Sequence, residues 1–220
     1  MTTKELSLYH LIRPAEGIEI KDAPVIFMFH GYGSNEEDLF SFAYELPEHC
    51  IVISARAPYT LMPNAYAWYA INFDDVEGKW SDNEQAKKSR DLIMAFIEEA
   101  CEGYGLNRNK INLLGFSQGS ILSYAVALSY PEKISNVIAL SGYINQDLIA
   151  GIPTDKDLSG LSVYASHGSA DQVIPVEWAR RTPKILNELG VAHTYEEFPV
   201  GHGVAPQNFY SLLKWLNLHN

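Results

Sequence analysis

The chain has 220 residues, 47% hydrophobic and 20% charged, with a formal net charge of −11. That length and composition fit one globular domain over residues 1–220 and exclude a disordered chain. The acidic balance argues against nucleic acid and against docking on anionic lipid, since both need a basic footprint.

The opening residues MTTKELSLYHLIRPAEG carry charges and lack the apolar core of a secretory leader, so the protein is read as cytoplasmic. Within them LSLYHLIR alternates like an edge strand. PVIFMFHG is a continuous apolar run, the pattern of a buried parallel strand. SNEEDLFSFAYEL follows as a helix, with Ser34 and Glu37 at capping-box spacing. CIVISAR is the next buried strand. The stretch Ala57–Trp80 is rich in aromatics and proline without a steady period, and it is too long for an ordinary connection. It reads as a flap or pocket wall, or as a surface hairpin packed on its own aromatics. SDNEQAKKSRDLIMAFIEEACEGYG is a long helix, with Ser81 and Glu84 again at capping-box spacing and a glycine stop. Cys50 and Cys101 read as small buried hydrophobes of a reducing compartment, not as a metal site.

KINLLGF is a strand, and the helix after Ser117 ends before Pro131. ISNVIALSG and LSVYASHG are further strands. VEWARRTPKILNELG is helical, with a break expected near Thr182 because Pro183 lies inside it. AHTYEEFP is the last strand and PQNFYSLLKWLNLHN the last helix. No apolar run reaches the length of a membrane span, so no stable membrane association is expected. Strands alternating with helices give an α/β fold, a mostly parallel sheet with helices on both faces.

In such a sheet ligands gather at the carboxyl ends of the strands. One strand there runs into His30-Gly31-Tyr32-Gly33, one into Ser117, one into Ser169-Ala170-Asp171, and one into Gly201-His202-Gly203. Serine is a poor nucleophile near neutral pH and needs a base, which histidine supplies and aspartate orients. The chain order Ser117, Asp171, His202, with the serine in G-x-S-x-G, is that of an α/β-hydrolase triad on a nucleophile elbow. The elbow is tight, so a residue larger than glycine at 115 or 119 would collide with neighbouring backbone. Two backbone N–H groups, of Tyr32 and of Gln118, are placed as oxyanion donors. His30 and His167 read as packed or hydrogen-bonded residues, and His10, His49, His193 and His219 as surface ones. Leu61, Met62, Trp68 and Tyr69 are candidate pocket residues, on the bias of such sites toward apolar walls.

The ordered pieces FHGYGSNEEDL, ARAP, Trp68-Tyr69, GFSQGS, HGSADQVIP and GHGVAPQNFYSLLKWL span nearly the whole chain. In them the sequence resembles the phospholipase/carboxylesterase family, which includes bacterial carboxylesterases and acyl-protein thioesterases. The resemblance implies an α/β-hydrolase fold without a large cap domain. It implies ester or thioester hydrolysis without metal or cofactor, on Ser117, Asp171 and His202 with Tyr32 and Gln118. Ser120 stands where that motif often has a further glycine, and AINFDD replaces the Asp that commonly follows Trp68-Tyr69. The expected partner is a small-molecule or acyl ester, lysophospholipids included, and a homodimer through the aromatic segment is left open. An amidase or peptidase on the same fold, and a non-catalytic binding protein, are the alternatives.

Overall fold

A computed structural model describes residues 3–74, 78–151 and 153–219, of which 72–74 and 78–80 are described by backbone alone. In chain order the elements are β1 (His10–Arg13), β2 (Val25–Phe29), α1 (Glu36–Phe40) and β3 (Ile51–Ala55). Two short hairpins follow, β4 (Tyr59–Met62) with β5 (Ala65–Ala67) and β6 (Ile71–Asp74) with β7 (Gly78–Ser81). Then come α2 (Asn83–Tyr104), β8 (Ile111–Phe116), α3 (Gln118–Ser129), β9 (Asn136–Leu140) and β10 (Ser162–Gly168). The chain closes with α4 (Val176–Ala179), α5 (Thr182–Glu188), β11 (Ala192–Phe198) and α6 (Pro206–His219).

The main sheet has seven strands among the described residues, in the order β1-β3-β2-β8-β9-β10-β11. Only β1 runs antiparallel, at the edge; every other neighbour pair is parallel. The central strands are buried on both faces, in keeping with their mainly apolar sequences; Ser54 and Asn136 are the polar exceptions in β3 and β9. Successive side chains still separate. Val25, Phe27, Phe29 and Leu113 join Ile93, Phe96, Ile97 and Leu122 of α2 and α3 in one apolar cluster. Ile26, Met28, Val52 and Leu114 join Leu39, Phe209, Leu212 and Leu216 of α1 and α6 in the other. The two-residue period of the strand thus divides one sequence run between two cores.

The chain goes from β2 outward to β3 on one side and, through β8, outward to β11 on the other. The order in which strands are added therefore reverses between the parallel neighbours β2 and β8, the crevice where doubly wound sheets bind ligands. The connection after β2 begins at His30 and the connection after β8 at Ser117, so both open on this crevice.

The expected alternation holds, with differences at the ends of elements. The first helix covers Glu36–Phe40 rather than 34–46, and its cap is Asn35, whose side chain accepts from the Glu37 N–H at 2.9 Å. Ser34 is turned away and donates to Asp38 Oδ2 at 2.7 Å. The cap of α2 is Asp82, not Ser81, accepting from the Gln85 N–H at 2.9 Å. Gly105 ends α2 at φ 69°, the left-handed turn its glycine stop implied. Pro183 breaks its helix as expected: α4 and α5 are separate, with the proline in the first turn of α5. The stretch 57–80 forms the two hairpins β4–β5 and β6–β7, and its residues 75–77 lie outside the described residues. No inserted helical cap covers the crevice among the described residues, and no helix there is long and apolar enough to cross a membrane.

Candidate active site

Strand β8 passes to α3 through a single residue, Ser117, at φ 52° and ψ −116°. This is a strained backbone for a residue with a Cβ, of the kind that persists only where the surroundings over-determine it. Its N–H donates to Leu140 O at 2.9 Å, which ties the turn to β9. The flanking glycines are forced by contact. A Cβ on Gly115 would lie 2.4 Å from the Gly119 carbonyl, and one on Gly119 would lie 1.9 Å from Phe29 O in β2. Ser120 is buried and donates from Oγ to Ser117 O at 2.9 Å. Its side chain occupies the space a Cβ on Gly142 would need, at 1.7 Å, so the glycine at 142 is what admits a serine at 120.

The turn brings Ser117 to the two other residues singled out after strands. His202 Nε2 lies 3.0 Å from Ser117 Oγ, and His202 Nδ1 lies 2.7 Å from Asp171 Oδ2. A carboxylate only accepts, so Nδ1 carries the proton and Nε2 is left to accept from the serine hydroxyl. Asp171 Oδ1 also accepts from the N–H groups of Val173 at 2.8 Å and Ile174 at 2.9 Å. Burial works against its charge, but the His202 hydrogen bond and those two N–H groups hold the carboxyl below its ordinary range. His167 Nε2 donates to Ile174 O at 2.9 Å and stands 3.3 Å from Asp171 Oδ2, a second imidazole against the same carboxylate. The face of the His202 ring is covered by Phe116, centroid to centroid 4.9 Å.

The loop after β2 closes the other side. The Tyr32 and Gln118 N–H groups have no acceptor among the described residues; Gln118 opens α3, where an N–H lacks an intrahelical partner. The loop is held firmly around them. Gly33 N–H donates to Tyr66 O and Tyr66 N–H to Ser34 O, both at 2.8 Å. His30 donates from Nδ1 to Gly31 O at 2.7 Å and accepts at Nε2 from the Ala57 N–H at 3.1 Å, so it is neutral and structural. The side chain of Gln118, which sequence reasoning had not singled out, clamps the next segment. Its Oε1 accepts from Trp68 N–H at 3.0 Å and its Nε2 donates to Tyr69 O at 2.8 Å. Ser89 Oγ donates to Trp68 O as well.

A cavity of about 370 Å³ opens beside Ser117, His202, Tyr32 and Gln118. Of the four expected pocket residues only Tyr69 lines it. Trp68 is fully buried in the core, edge-on to Phe29 at 5.5 Å and donating from Nε1 to His30 O at 2.9 Å. Leu61 and Met62 lie exposed on β4, outside the cavity. The remaining walls come from Ile71 and Ser81 of the second hairpin, Ile121 of α3, Tyr143 after β9, and Val173, Ile174 and Trp178 after β10. One signal could have found three of them: Tyr143, Val173 and Ile174 lie in the loops that follow the carboxyl ends of β9 and β10. A wider depression of about 510 Å³ beside Glu5, Glu99 and Glu102 lies away from Ser117 and His202. Among the described residues no three His, Cys, Asp or Glu side chains are grouped to hold a metal ion.

Comparison with known proteins gives the family and the fold. Residues 16–220 match the model of a family described as Phospholipase/Carboxylesterase. An acyl-protein thioesterase 1 from Mycosarcoma maydis is 28% identical, with 94% of each chain aligned. Among solved structures, esterase PE8 superposes with a TM-score of 0.82 at 23% identity, over 98% of this chain and 100% of that one. The Bacillus cereus carboxylesterase does so with a TM-score of 0.81 at 19% identity, over 97% of this chain and 95% of that one. At those identities the two structures speak for the fold.

Proposed function

The chain belongs to the phospholipase/carboxylesterase family and is a carboxylic ester hydrolase, and on that premise we propose that it works through an acyl-enzyme on Ser117. The observation that carries the reading is the unbroken hydrogen-bonded line from Ser117 Oγ through His202 to Asp171, at 3.0 and 2.7 Å. Ser117 Oγ attacks the acyl carbonyl while His202 Nε2 takes its proton. Asp171 holds the imidazole in the required tautomer and stabilises the imidazolium that forms. The carbonyl oxygen becomes an oxyanion and receives the free N–H groups of Tyr32 and Gln118, each worth about two to three orders of magnitude in rate in comparable sites. His202 returns the proton to the leaving alkoxide or thiolate. Water then enters, gives its proton to His202 and attacks the acyl carbon. Collapse of that second intermediate releases the acid and restores Ser117 with its proton.

The cavity sits near the low end of the range, about 300–1,000 Å³, found for ligand pockets, which favours esters of short to medium chain. A relative named as an acyl-protein thioesterase supports thioesters within that class. The test is Ser117→Ala on a p-nitrophenyl ester series from acetate to laurate. The rate is expected to fall by about 10⁴-fold or more with the fold retained, and the wild type should be labelled at Ser117 by a phosphonate ester. Undiminished hydrolysis by the variant would overturn the assignment. An amidase rate that exceeds the esterase rate would move the reading to the amide class.

A further inference from the structure

The cavity beside Ser117 is walled mainly by apolar side chains, among them Ile71, Ile121, Val173, Ile174 and Trp178. Three tyrosines interrupt them, the exposed Tyr32 and the more enclosed phenols of Tyr69 and Tyr143. Tyr69 is 2% exposed, and its hydroxyl has no hydrogen-bond partner among the described residues. Its backbone is held in place. The Tyr69 carbonyl is held by Gln118 Nε2 at 2.8 Å, and the N–H groups on either side, of Trp68 and Ala70, are held by Gln118 Oε1 at 3.0 Å and Gln85 Oε1 at 2.9 Å. Tyr143 is fixed through its ring, edge-on to Trp178 at 5.1 Å, and its hydroxyl likewise has no partner among the described residues.

A hydroxyl on the cavity wall that loses its water to an entering chain and finds no acceptor is costly, and a chain that supplies one recovers that cost. An alkyl chain entering the cavity leaves both phenols unmatched. A chain with an oxygen along it satisfies at least one. That oxygen is neutral rather than a carboxylate, because no lysine or arginine lines the cavity among the described residues and the chain's net charge is −11. Resting on the esterase reading above, we propose that Tyr69, with Tyr143, makes this cavity selective for esters whose buried chain carries a neutral oxygen acceptor, an oxo or alkoxy group, over plain alkyl esters. Tyr69 and Tyr143 are then specificity-determining residues and take no part in the bond-breaking steps.

The experiment uses two matched pairs, since either side of the ester can occupy the cavity. One pair varies the acyl group, p-nitrophenyl valerate against p-nitrophenyl levulinate. The other varies the alcohol, butyl acetate against methoxyethyl acetate. For each pair the ratio of kcat/KM, oxygen-bearing over alkyl, is measured for the wild type, Tyr69→Phe and Tyr143→Phe. Comparing ratios between enzymes cancels the intrinsic reactivity of the esters. In one pair the wild-type ratio is expected to exceed that of Tyr69→Phe by about fivefold, the equivalent of one neutral hydrogen bond, with the loss carried mainly in KM. Tyr143→Phe should lower the ratio in the same pair and carries the test if Tyr69→Phe does not fold. Equal ratios in all three enzymes, for both pairs, overturn the proposal. In that case Ser117-dependent hydrolysis of the alkyl members would leave the esterase reading standing. Its absence would remove both.

Discussion

Asp171 accepts three hydrogen bonds, and a fourth donor group, His167 Nε2–H, stands beside it while donating to Ile174 O, which bears on both activity and stability. His202 Nδ1 and His167 Nε2 face Oδ2, at 2.7 and 3.3 Å, while the Val173 and Ile174 N–H groups face Oδ1. Every one of these neighbours donates, so an amide at this position must turn its own N–H₂ against donors. Asp171→Asn is therefore expected to misorient His202 and lower kcat by about three to four orders of magnitude, as in other triads whose acid becomes an amide. Far-UV circular dichroism should stay that of the parent; a variant that keeps more than a tenth of the activity would remove Asp171 from the machinery. The candidate triad residues were legible because each follows a strand end beside glycine or small residues. The contact between His167 and Asp171 was not, since a spacing of four that runs from the end of β10 into the following loop carries no directional information. Trp68 misled for a different reason: an aromatic in a long irregular segment reads as pocket wall or as core equally well, and only the sheet beneath it decides.

At the scale of elements the elbow is the most constrained piece of chain. Gly119 sits at the start of α3, pressed onto the carbonyl of Phe29 in the centre of the sheet. That neighbour is backbone of a strand paired on both sides, so it cannot retreat. Gly119→Ala is expected to cost about 3 kcal/mol, the upper end of ordinary overpacking, and to abolish activity by displacing Ser117. Gly160→Ala, where nothing lies within 4 Å of the added carbon, is the control and should leave both unchanged. Equal urea midpoints for the two variants would contradict the contact argument. Elements were easiest to read where one pattern ran alone. The apolar runs of β2, β3 and β8 could only be buried parallel strands. The caps were harder, because Ser34-Asn35 and Ser81-Asp82 each offer two capping side chains in succession, and sequence does not choose between them. The stretch 57–80 read equally as a flap or as a hairpin, and its division into two hairpins could not be read because their strands are too short for a two-residue period to emerge.

For the whole molecule, both apolar clusters are built on the same strands, so neither half can lose its core while the other keeps it. We therefore propose that residues 1–220 unfold as one cooperative domain, and the pH dependence of that transition follows from groups on both sides of the sheet. His30 is buried, and so is His10, which the sequence had placed at the surface; burial pushes both imidazoles toward the uncharged form, the Leu8 carbonyl at His10 and the Gly31 carbonyl, Asp38 and Glu36 at His30 oppose it without reversing it, and Arg56 works with it. The unfolded chain protonates the same residues below about pH 6.5. It then binds more protons than the folded chain, so stability falls as pH drops from there, by at most about 1.4 kcal/mol per pH unit for each histidine. Further down a second loss begins. The hydrogen-bonded carboxyls of Glu36, Asp91 and Asp171 lie below their ordinary range in the folded protein. Their contribution is complete above the usual carboxylate range and disappears as pH falls through the folded values. Relief of the repulsion within a net charge of −11 acts in the opposite sense, but it belongs to solvated surface groups and is screened within about 8 Å at physiological ionic strength. In such salt the urea midpoint is expected to decline between pH 7 and 5 and more steeply below pH 4, as a single transition by fluorescence and by circular dichroism alike. A midpoint that rises on acidification to pH 5 would mean that surface repulsion outweighs the two buried imidazoles, and non-coincident curves would divide the sheet into separately stable parts.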